Sequence, residues 1–94
     1  MRTLVLASSF KRAFKRVVKR QPEVQARIEE RLTLLAADPF DPQLQTHKLK
    51  GKLSGAWACS VEYDCRIVFN FVGNLESGEE EILLIDIGTH DEVY

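Results

Sequence analysis

At Gly55 the hydrophobic period of this chain changes, and that change restricts the fold more than any other feature. Before it, Phe10, Ala13, Phe14, Val17 and Val18 recur at helical spacing, as do Val24, Ile28, Leu32 and Leu35. Such intervals align apolar side chains along one stripe of a helix. After it, apolar residues alternate or run together through 57–62, 66–71 and 81–87, as extended strands require. Helices followed by strands make an α+β chain.

The breaks between these segments supply the element order. Residues 2–7 are short and partly β-branched, which predicts a strand, and Ser8 and Ser9 can cap the helix that follows. Pro22 suits the first position of a second helix, and Asp38-Pro39 ends it. The segment 43–55 reads as an exposed connection carrying His47, Lys48, Lys50 and Lys52. Tyr63-Asp64-Cys65 and the stretch from Gly73 to Gly78 separate the strands. The expected order is β-α-α-β-β-β: an N-terminal strand, a two-helix hairpin and an antiparallel three-strand meander.

Register in the first hairpin follows from polarity, because a slip of one residue exchanges the two faces of a strand. A three-residue turn at 63–65 sets Glu62 opposite Arg66. It gathers Trp57, Cys59, Val61, Ile67, Phe69 and Phe71 on the core face and leaves Ser60, Glu62, Arg66 and Asn70 on the open one. In the last strand Leu83, Ile85 and Ile87 are expected in the core. Ile82 and Leu84 are also apolar, as in an interior strand covered on both faces.

Ninety-four residues supply one core, so 1–94 is expected to be a single domain. No apolar run approaches the ~20 residues that span a bilayer, and the N-terminal one is too short for a signal peptide. A cytoplasmic chain without membrane contact is the expectation. Cys59 and Cys65 are the only cysteines. They are too few for a four-ligand zinc site, and neither a metal nor a cofactor is expected. Charge is divided unevenly: residues 1–55 hold twelve Lys/Arg against five Asp/Glu, and 56–94 hold one against nine. The basic half suits an anionic partner, nucleic acid above all, or is simply a solvated helical surface.

The sequence contains no Gly-rich phosphate loop, no HExxH and no nucleophile elbow. What remains is a set of polar residues around the strands. Cleaving RNA without a metal needs a base for the 2′-hydroxyl proton, a cation at the crowded phosphate and an acid for the leaving oxygen. Glu62 or Asp64, Arg66 and His90 can supply these, and Tyr94 can stack on a splayed base. Each residue also has a plainer structural explanation. Glu62 and Arg66 can be a cross-strand ion pair, His90 a turn residue, and Tyr94 a cover for the edge of the core.

Together, the basic helix hairpin, Leu49-Lys50-Gly51-Lys52-Leu53-Ser54-Gly55-Ala56-Trp57, Asp64-Cys65-Arg66-Ile67-Val68-Phe69 and Ile87-Gly88-Thr89-His90-Asp91-Glu92-Val93-Tyr94 resemble the RelE/ParE toxin superfamily, most of all its YafQ-like branch. The resemblance implies a RelE-like fold and a ribosome-dependent mRNA endonuclease held inactive by a cognate antitoxin, with a toxin-antitoxin hetero-oligomer as the expected assembly. It implies products with a 2′,3′-cyclic phosphate and a 5′-hydroxyl. His47, Asp64 and His90 match polar catalytic positions of that branch, Tyr94 its terminal aromatic, and Arg66 an arginine frequent in the wider superfamily. His90 would then be the acid and Arg66 the cation, with Asp64 and His47 sharing the base and orienting roles. Lys48, Lys50 and Lys52 would bind substrate, as would Glu62 on the register argument alone. Ser60 stands where many relatives place a further catalytic arginine or histidine. A gyrase inhibitor of the ParE kind and a binding-only module are the alternatives.

Overall fold

The computed structural model describes residues 2–51, 55–62 and 64–89. Strand β1 (Leu4–Leu6) leads into helix α1 (Ser8–Arg20), and a 3-10 turn at Pro22–Val24 leads into α2 (Gln25–Ala37). A second 3-10 turn at Pro42–Leu44 precedes β2 (His47–Lys48), β3 (Trp57–Glu62), β4 (Cys65–Gly73) and β5 (Glu80–Gly88). The sheet order is β1-β5-β4-β3-β2. The expected meander is β3-β4-β5, antiparallel throughout, while β1 joins β5 in parallel.

Both helices bury their periodic stripes against one face of the sheet. Phe10, Ala13 and Val17 of α1 and Ile28 and Leu35 of α2 meet Cys59, Val61, Ile67, Phe69, Ile82, Leu84 and Ile87. Trp57, Phe71 and the exposed Phe40 extend this core as an aromatic cluster, with ring centroids 5.5–5.9 Å apart. Opposite-parity residues Ala58 and Val68 form a small cluster on the other face with Leu49, Ala56 and Ile85. The Leu49 N–H donates to the Ala56 carbonyl at 2.9 Å and closes the segment between β2 and β3.

Several sequence expectations are corrected. Ala7, not Ser8 or Ser9, is the N-cap of α1, and no side chain caps it. The Ser9 hydroxyl instead donates to the Ile85 carbonyl at 2.6 Å, tying the helix to β5. The 43–55 connection contains β2, paired with β3 through His47↔Ala58 and Lys48↔Trp57. Ile82, Leu84 and Ile87 enter the main core, whereas Leu83 and Ile85 stay half-buried. The cause is a bulge: Phe69 faces Leu84 while Val68 faces Asp86, so one extra residue of β5 shifts parity between them.

Candidate active site

The register of β3 and β4 decides which side chains share a face. Ser60 pairs with Arg66 and Glu62 with Cys65, so Val61 is the extra residue of a second bulge. Glu62 was expected opposite Arg66 on the open face. The bulge turns it to the parity of Cys65, toward the helices, where its Oε1 lies 3.9 Å from Arg27 Nε on α2. No Glu62–Arg66 ion pair forms. Arg66 Nη1 donates instead to the Glu62 backbone carbonyl at 3.1 Å, which holds the guanidinium at the hairpin end.

Pairing sets His47 beside Ala58, and Ala58 and Ser60 have the same parity, so His47, Ser60 and Arg66 occupy one face. Strand spacings put the His47 and Arg66 backbones about 12 Å apart. The His47 Nδ1 lies 3.0 Å from the Gln45 carbonyl, which favours a proton on that nitrogen. Lys48 has the opposite parity, and its ammonium lies 6.0 Å from the Trp57 ring centroid. Lys48 and His47 therefore lie on opposite faces of the sheet. Lys50 is exposed just beyond β2. Lys52, His90 and Tyr94 lie outside the described residues.

Two clefts meet at this end of the molecule. Gln21, Glu62, Asp64, Cys65 and Thr89 line one of about 220 Å³, so the end of α1, the β3–β4 turn and the end of β5 converge. Arg66 is paired with Gly88, and Thr89 follows it into this cleft immediately before His90 in the chain. The other cleft, of about 350 Å³, runs along the edge of β3 between α2 and the 42–45 turn, and Arg31, Gln43, Gln45, Ser60 and Arg66 contribute to it. Nothing in the sequence singled out Arg31 or Gln45. Arg31 is one polar position among many on α2, and the left-handed backbone of Gln45 (φ 51°) has no glycine or asparagine to announce it. Among the described residues no group of three or more His, Cys, Asp or Glu could hold a metal ion. No helix there is long and apolar enough to cross a membrane.

The profile of the family described as bacterial toxin of type II toxin-antitoxin system, YafQ, matches residues 2–94. The chain belongs to this family. No curated protein matches it. Among solved structures, a conserved hypothetical protein of Helicobacter pylori, HP0894, is 31% identical over all of both chains, with a TM-score of 0.68. YafQ from E. coli covers 100% of this chain and 99% of its own at 16% identity and a TM-score of 0.79. The E. coli DinJ-YafQ complex gives 18% identity, the same coverage and a TM-score of 0.78. The last two share the fold.

Proposed function

We propose that this YafQ-family toxin is an endoribonuclease that cleaves mRNA on the ribosome by attack of the 2′-hydroxyl, without a metal ion, and so inhibits translation. The observation that carries the reading is the shared face of His47, Ser60 and Arg66, at the end of the sheet where Asp64 and Thr89 line one cleft. In the reaction, the 2′-oxygen forms a bond to phosphorus while the bond from phosphorus to the 5′-oxygen breaks. The base removes the 2′-hydroxyl proton, and the acid protonates the departing oxygen. Arg66, oriented by the Glu62 carbonyl, is the cation for the extra charge on the pentavalent phosphate. His90 is the acid, and Asp64 and His47 share the base and orienting roles. Tyr94 stacks on a base. Glu62, turned to the helical side, serves the binding cleft, and Lys50 and Lys52 meet the RNA backbone.

The basic exposed residues of α1 (Lys11, Arg12, Lys15, Arg16, Lys19 and Arg20) dock on ribosomal RNA. By likeness to the DinJ-YafQ complex, a cognate antitoxin holds the toxin inactive in a hetero-oligomer, within the cytoplasm. Adding the purified chain to a translating extract tests the reading. It expects new 5′-hydroxyl ends within translated codons, with 2′,3′-cyclic phosphates on the matching upstream fragments. Fragments with 5′-phosphate and 3′-hydroxyl ends, as attack by metal-activated water leaves, remove the 2′-hydroxyl mechanism, and intact mRNA with inhibited gyrase supercoiling selects the ParE-like alternative.

A further inference from the structure

The edge of β3 is paired with β2 only through Trp57 and Ala58, so its Ser60–Glu62 end borders the larger cleft directly. Arg31 reaches this cleft from α2. Its Nη1 donates to the Gln43 carbonyl at 3.3 Å, and its Nε is buried with no hydrogen-bond partner among the described residues. A guanidinium held by one long bond, with a second donor unused, gains by turning to an acceptor that satisfies its planar fork. Among the described residues, the cleft is lined by two arginines and one carboxylate, Glu62, which is shared with Arg27. The balance therefore favours an anion.

Gln45 joins this cleft to the open face of the sheet. Its backbone is left-handed, its side-chain Oε1 accepts from the Ser60 hydroxyl at 3.3 Å, and its carbonyl lies 3.0 Å from His47 Nδ1. A strand of RNA crossing His47 and Arg66 can continue past Ser60 toward Arg31.

We propose that the cleft between α2, the 42–45 turn and the end of β3 is a phosphate subsite, in which Arg31 and Arg66 hold one phosphodiester of single-stranded RNA adjoining the cleaved bond. This assignment rests on the ribonuclease reading above, and its test is made independent of cleavage. The probe is a fully 2′-O-methylated oligonucleotide, which has no 2′-hydroxyl to attack. Arg31→Met, which keeps the apolar stem, is expected to weaken binding about tenfold and to reduce the slope of log affinity against log salt by about 0.7, one single-strand phosphate contact. Its thermal midpoint should equal or exceed that of the parent, since a buried unused donor is removed. Arg31→Lys should recover part of the affinity through charge alone. Inorganic phosphate should shift the Gln43, Gln45 and Ser60 amide resonances in the parent and not in Arg31→Met.

Equal oligonucleotide affinity and salt slope in Arg31→Met overturn the subsite and leave the nuclease reading standing. Arg31-dependent binding by a chain that cuts no mRNA retains the subsite and removes the nuclease. Loss of affinity for an acidic peptide but not for the oligonucleotide assigns the cleft to a protein partner instead, and a chain that binds no oligonucleotide at all overturns both.

Discussion

Cys59 lies in the middle of β3, and burial pushes its thiol from an ordinary value of 9.0 up to about 12; the Arg31 charge opposes this, and Cys65 adds to it. Unfolding exposes the thiol, which then ionises near its ordinary value, while the folded chain keeps its proton. Between those two values the folded state binds more protons, so stability falls as pH rises. One retained proton makes the slope about 1.4 kcal/mol per pH unit. Urea unfolding of the parent and of Cys59→Ala above pH ~9 should therefore converge as pH increases; a constant difference would deny the burial effect. The same shift keeps Cys59 unreactive, and iodoacetamide at about pH 8 should modify it only after denaturant is added. At this scale the sequence was legible where polarity alternates: the core parity of Cys59, Ile67 and Phe69 followed from it. It misplaced Glu62 on the open face, because Ser60-Val61-Glu62 reads as unbroken alternation and the bulge at Val61 has no signature residue.

Among the elements, α1 depends on β5 through both packing and the Ser9–Ile85 bond. Ser9→Ala should cost about 1 kcal/mol, lowering the thermal midpoint by roughly 4–8 °C in a domain of this size. No change would show that water replaces the bond without loss. Leu35→Ala, which empties a fully buried site on α2, should cost about 2–5 kcal/mol in urea unfolding. The helices were readable from residue spacing because each has one buried stripe. The parity of β5 was not, since Ile82 to Ile87 is apolar on both faces except at Asp86, and hydrophobicity cannot report where the register slips. Strand β2 escaped for another reason: two residues carry no period.

Across the whole molecule, charge is arranged by element. α1 carries six exposed basic residues and no acid, whereas Glu76, Glu79, Glu80 and Glu81 gather at the β4–β5 hairpin. Docking of α1 on ribosomal RNA should weaken steeply with salt. Replacing Lys11, Arg12 and Lys15 with Gln should flatten that dependence in ribosome pelleting; an unchanged profile would put the docking face elsewhere. The candidate site was partly legible at this scale. The sequence named His47 and Arg66, and the fold brings them to one face, but Arg31 joins them only through a helix packed across the sheet, which no local pattern encodes.

The central claim is that Arg66 stabilises an RNA-cleaving transition state. The most direct measurement is the rate at which new mRNA 5′ ends appear in a translating extract given the parent chain or Arg66→Ala, at equal folded concentration. A loss of about 10²- to 10³-fold, with the ends still within translated codons, is the expected result. Cleavage by Arg66→Ala at the parent rate would contradict it.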